Sequence, residues 1–212
     1  MTLDKETIKL CFTIGTEEFF GSNLEGLEIL KNGIPTNYDG NCSGKENSIA
    51  CITAYRNNNK MVLWPFYDGQ IGATYYRIEF EGDLNKIYLD DDGFYYYLSN
   101  IIYGDYTYEN EIFSKLEKIN EDFTKIKILD VIEQNIMTMD QFLLKNTDFP
   151  YVAGIVYNDN IKPNMITRID LFINRDSEPY EDIIETLYEK GVNKWEDLLS
   201  EQIIIILQLQ SI

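Results

Sequence analysis

The 212 residues are 44% hydrophobic and 14% aromatic, apolar bulk that offsets ordering entropy, so composition excludes global disorder and fits one domain over residues 1–212. Thirty-six acids against 18 bases give a net charge of −18, a field that repels phosphate backbones and anionic membranes and speeds encounter with basic partners. With no His, imidazole triads and the usual His-containing zinc sets are excluded.

Cys11, Cys42 and Cys51 form no Cys-x-x-Cys pair, and an odd thiol number suits a reducing compartment. The charged N-terminus lacks the order of a secretory signal, and the longest apolar runs, such as Ile203 to Leu207, fall short of the ~20 residues a membrane span needs. A cytoplasmic protein is expected, with neither membrane nor direct nucleic acid as partner. Abundant Ile, Asn, Lys and Tyr suit an AT-rich genome of bacterial or phage type.

In chain order, Ile8, Leu10, Phe12 and Ile14 alternate with Lys9, Cys11 and Thr13, the pattern of a half-buried strand. Ser22 to Glu25 reads as a capping box opening a helix with Leu24, Leu27 and Leu30, ended by Gly33 and Pro35. Residues 38–47 read as a surface loop. Ile49 to Tyr55 and Met61 to Phe66 read as strands joined by a hairpin at Arg56 to Lys60. Tyr75 to Phe80, Lys86 to Leu89 and Phe94 to Leu98 read as a three-strand meander. Alternation then puts Tyr76, Ile78, Phe80, Phe94, Tyr96 and Leu98 inside and Tyr95 and Tyr97 outside.

Glu109 to Ile119 places Ile112, Phe113, Leu116 and Ile119 on one helix face. Ile126 to Ile132 leans to strand. Thr138 to Gln141 is a capping box opening a helix through Lys145. Tyr151 to Tyr157 and Met165 to Ile173 read as a strand pair. Glu181 to Glu189 has helical spacing with Gly191 as its cap, Asn193 to Glu196 opens a short helix, and Ile203 to Leu209 reads as a buried strand. The fold class expected is α+β, a mostly antiparallel sheet with flanking helices.

The stretch from Tyr75 to Tyr108 holds 11 aromatic residues and seven carboxylates against one Arg and one Lys. Rings offer cation-π faces and carboxylates offer forks to Arg, a combination suited to a cationic partner. The expected binding residues are Asp90, Asp91, Asp92, Tyr95, Tyr97, Asp105, Tyr106, Tyr108 and Glu109. No catalytic residue, metal site or cofactor is expected. Asp90 to Gly93 lacks the alternate ligands and closing Glu of a calcium loop, because its three Asp are consecutive and Ser99 stands at the Glu position.

An acidic, cytoplasmic α+β profile without catalytic groups resembles bacterial immunity proteins that neutralise basic nuclease toxins, and phage nucleic-acid mimics. That likeness is one of composition and transfers no site. The expected function is neutralisation of a basic protein partner. The alternative is an enzyme using converging carboxylates or a divalent ion on a small substrate.

Overall fold

The computed structural model describes residues 7–15, 26–38, 43, 45–53, 56–57, 60–61, 74–90, 94–143, 152, 154–173 and 182–191, with side chains 27–28, 56–57, 60–61, 74–75, 94–97, 100, 106, 172–173 and 182–185 outside that description. The expectations at 22–25, 42, 62–66, 193–196 and 203–209 lie outside the described residues.

The alternating run at the N-terminus forms β1 (Thr7–Gly15), with Ile8, Leu10, Phe12 and Ile14 in the core as their period demands. Helix α1 (Gly26–Asn32) follows and stops at Gly33. Next come β2 (Ile49–Thr53), a small hairpin of β3 (Arg56–Asn57) and β4 (Lys60–Met61), β5 (Thr74–Asp83) and β6 (Ile87–Leu89). Helices α2 (Phe94–Tyr103), α3 (Glu109–Glu117), α4 (Ile128–Glu133) and α5 (Met139–Phe142) form the middle, and β7 (Ile155–Tyr157), β8 (Ile166–Ile173) and β9 (Asp182–Glu189) complete the described chain.

Among the described residues seven strands form one antiparallel sheet in the order β6-β7-β2-β1-β5-β8-β9. Strands and helices are segregated along the chain rather than alternating, so the fold is α+β. One sheet face packs against Leu98, Ile112, Leu116, Ile128, Val131 and Phe142 from the helices. Ile112 and Leu116 line the inner side of α3 as their spacing predicts, whereas Phe113 sits at the rim, edge-on to Phe123 at 5.0 Å. The α5 capping box is present: the Thr138 N–H donates to Gln141 Oε1 at 2.8 Å, and the Gln141 N–H to Thr138 Oγ1 at 3.2 Å.

The sheet is curled. Strands β5 and β6 are four positions apart in the order, about 19 Å in a flat sheet at ~4.8 Å per strand. Only the single 3-10 turn Leu84–Lys86 joins them, and from Asp83 to Ile87 the chain can reach about 14 Å at ~3.5 Å per residue. The β6-β7 edge must therefore fold back over the core. Accordingly, the Phe80 and Tyr157 rings meet edge to face at 5.3 Å. At Gly82 an added Cβ would stand 2.8 Å from Leu10 Cδ1 and 3.0 Å from the Tyr157 ring, so a side chain at the crossing would require both neighbours to shift.

Five local readings are corrected. Phe94 to Leu98 is the start of α2, not a third meander strand: Leu98 and Ile101 are buried at helical spacing, and Gly104, at φ +69°, stops the helix. The alternation that would turn Tyr95 and Tyr97 outward therefore does not apply. Strands β5 and β6 do not pair with each other. Of residues 126–132, read as strand, only Ile126 and Lys127 pair with β6, and 128–132 enter α4, whose first turn is held by the Lys127 N–H donating to Asp130 Oδ2 at 2.8 Å. Strand β7 pairs with β2 and β6 rather than with β8, because the Ile161–Ile34 bridge pins the intervening loop to the end of α1. Residues 182–189, read as helical, are β9, paired to β8 through two bulges. There the ladder overrides an ambiguous pattern in which Ile183, Thr186 and Tyr188 favour extended structure.

Candidate functional site

The α2–α3 corner carries the exposed aromatics. Among the described residues the exposed large hydrophobic side chains are Tyr103 (38%), Tyr108 (44%), Phe113 and Leu143, and the first two lie within this corner. Gly104 turns the chain out of α2, and the buried Ser99 hydroxyl donates to the Asp105 carbonyl at 2.7 Å. Asp105 Oδ1 then accepts from the Thr107 N–H at 2.8 Å, an Asx turn that starts the 3-10 turn Tyr106–Tyr108. These bonds fix the angle at which two rings are presented. The Tyr103 and Tyr108 centroids are 4.6 Å apart, inclined at 32°.

Carboxylates ring the pair. Asp105 is exposed, and Glu109 and Glu111 occupy the first turn of α3, where the helix dipole favours them. The Tyr103 hydroxyl donates to Glu111 Oε1 at 2.8 Å, and Lys115 Nζ reaches the same oxygen at 2.7 Å and the Tyr103 hydroxyl at 2.8 Å. The Lys115 and Tyr103 hydrogen bonds hold the Glu111 carboxyl below its usual range, and the same contacts raise Lys115.

Of the sequence-based candidates, the structure brings Asp105, Tyr108 and Glu109 together. Asp90 lies at the other end of α2, a helix about 15 Å long at ~1.5 Å per residue, with its N–H donating to Gly154 O at 2.8 Å. Asp91 and Asp92 lie outside the described residues, as do the side chains of Tyr95, Tyr97 and Tyr106. Sequence reasoning missed Tyr103 and Glu111. The available signal was the Glu111–Lys115 spacing together with Gly104, which marks a helix end beside Tyr103.

A second charged cluster contains none of the sequence-based site candidates. On the opposite face of the sheet, the ladder sets Thr13, Arg77, Asp170 and Thr186 in one row and Cys11, Glu79, Arg168 and Glu189 in the next. Arg77 Nη2 donates to Glu79 Oε1 at 3.0 Å, with both side chains 1% exposed. Arg168 Nε donates to both Asp170 oxygens at 2.8 Å, and the Thr186 hydroxyl to Asp170 Oδ1 at 2.7 Å. Among the described residues no nitrogen or oxygen accepts from Arg77 Nε or Nη1, and the neighbouring Cys11 thiol is the polar group facing that guanidinium. Burial raises the Cys11 thiol against the lowering influence of the neighbouring Arg77 charge, and burial raises Cys51 further. The signal was present as Arg77-Ile-Glu79 and Arg168-Ile-Asp170: in a strand, residues two apart share a face. Two cations stand against three carboxylates, Glu79, Asp170 and the more exposed Glu189, so the buried charges are paired within the sheet and the cluster carries a formal −1.

A polar cleft of about 540 Å³ opens where Lys45, Thr124, Asn158, Asp159 and Asn160 meet. Its groups are engaged in holding loops together. Lys45 Nζ donates to Thr124 O at 2.7 Å and lies 4.3 Å from the Tyr88 ring centroid, while Asn158 Nδ2 donates to Asn47 O at 2.9 Å. Asp159 pairs with Lys86. Among the described residues no three acidic or thiol side chains gather closely enough to hold a metal ion.

Compared with protein-family profiles, curated proteins and solved structures, the chain matches none.

Proposed function

We propose that this chain is a non-enzymatic acidic binding protein that neutralises a basic protein partner through the α2–α3 corner, in the manner of an immunity protein or inhibitor. The observation that carries the reading is the Tyr103–Tyr108 pair, displayed on a rigid turn and flanked by Asp105, Glu109 and Glu111. Tyrosine suits this work because two χ angles order a large contact area at low entropic cost. The net charge of −18 steers a cationic partner toward the surface. A nuclease toxin or another nucleic-acid-processing enzyme is the partner class, since its phosphate-binding surface is the complement of this one.

The buried free thiols Cys11 and Cys51 support a reducing, cytoplasmic setting. No helix among the described residues is long and apolar enough to cross a membrane.

The test is a photo-crosslinking residue at Tyr108 in cells of the source, with the adduct identified by mass spectrometry. A basic protein is expected, its yield falling steeply as salt is added to the lysate. Absence of any basic adduct, or a yield indifferent to salt, overturns the reading.

A further inference from the structure

We propose that the α2–α3 corner contains a guanidinium-binding subsite, occupied in the free protein by Lys115 and taken over by an arginine of the basic partner. This deepens the interaction-surface reading above and rests on it.

The corner already binds a cation through two oxygens. Lys115 Nζ lies 2.7 Å from Glu111 Oε1 and 2.8 Å from the Tyr103 hydroxyl, off the hydroxyl edge of the ring. A carboxylate and a phenol oxygen therefore converge on one ammonium. The Tyr103 hydroxyl and the Lys115 ammonium both meet Glu111 at Oε1. The ammonium is a compact point charge that cannot fork across a carboxylate. A guanidinium is planar and carries a fork of donors. It can engage both oxygens of Glu111 while lying against the second tyrosine.

Exchange is easy because the resident contact is exposed. The Lys115 and Glu111 side chains retain 38% and 50% of their accessibility, and pairs so exposed to water hold weakly. Lys115 is tethered to the same helix, one turn from Glu111, so it screens the carboxylate from single dilute cations. It yields to an arginine already concentrated by a docked partner. Lys115 thus sets specificity in favour of arginine on a protein surface over free cations.

The experiment uses the full chain with ¹³C-labelled tyrosine at low salt. The probe is acetyl-Gly-Arg-Gly-amide, with the isosteric, uncharged citrulline peptide as its control. Lys115→Gln keeps a good helix former and is expected to tighten binding of the arginine peptide by about two- to fivefold, the range of an exposed ion pair. Adding Glu111→Gln in that background is expected to remove binding, and the citrulline peptide to leave the Tyr103 and Tyr108 resonances unmoved. Unchanged or weakened binding in Lys115→Gln, or equal binding of the citrulline peptide, overturns the subsite. A basic adduct at Tyr108 that persists despite that result keeps the surface and removes only the subsite. Loss of the adduct would instead remove the surface itself.

Discussion

Arg77 with Glu79 and Lys115 with Glu111 are the same chemical pairing at similar separations, 3.0 and 2.7 Å, and they live in opposite worlds. The strand pair is 1% exposed on both sides, while the helix pair is 38% and 50% exposed. In the first, each charge has lost its water and depends on its partner, so the pair is committed to the fold. In the second, water competes with every contact, so the pair is free to exchange. A carboxylate beside a cation is thus not by itself a site or a strut; its hydration decides which.

Four measurements break or sharpen that contrast. Arg77→Met removes the buried cation paired with Glu79 and is expected to cost the most, up to about 3–5 kcal/mol in urea unfolding. A loss below about 1 kcal/mol would put the pair in the surface class. Tyr108→Ser is expected to weaken the partner complex by about 2 kcal/mol or more, roughly thirtyfold, as an aromatic anchor should. Its unfolding midpoint should stay near that of the parent, because the ring is exposed; a large drop would make it a strut. Lys115→Gln should leave the urea midpoint unmoved within error while altering cation binding, dissociating stability from recognition.

The smallest effect is in acid. The Lys86 hydrogen bond holds Asp159 below its usual range, and Lys125 and Thr124 do the same for Asp122. A depressed folded-state value stabilises at pH above the ordinary carboxylate range, and that contribution is lost as pH falls through the lowered value. Thermal midpoints followed from pH 6 downward should therefore fall slightly less in Asp159→Asn than in the parent.

Local signals read well wherever one element decided its own structure. The alternation of Ile8 to Ile14 named β1, the Thr138–Gln141 reciprocity named α5, and Ile112 with Leu116 named the buried side of α3. Reading failed where a distant partner decided. The run Ile183, Ile184, Leu187 and Tyr188 satisfies helical spacing, yet the β8 edge beside it draws residues 182–189 into the sheet. Phe94 to Leu98 alternates plausibly, but Ile101 and Gly104 complete a helix that a five-residue window cannot see. For the site, composition pointed to Asp105, Tyr108 and Glu109. Tyr103 and Glu111 required the turn at Gly104 to be known, since only that turn brings residues from two helices onto one surface. The Arg77 and Arg168 rows stayed hidden because a charge on the second face of a strand reads as solvated until both faces prove to be covered.

The strand order carries a consequence for how the chain reaches this state. Ile49 must find Tyr157, and Thr7 must find Asp83, before the sheet can close. Such distant pairings demand that large loops be closed early, and topologies built on them fold on the order of milliseconds to seconds. Through that interval unpaired edges and the apolar faces of β1 and β5 are open to other copies. A chain bearing −18 keeps those copies apart by mutual repulsion, so the charge that draws in a cationic partner once the fold is complete also guards the half-made sheet against its own kind.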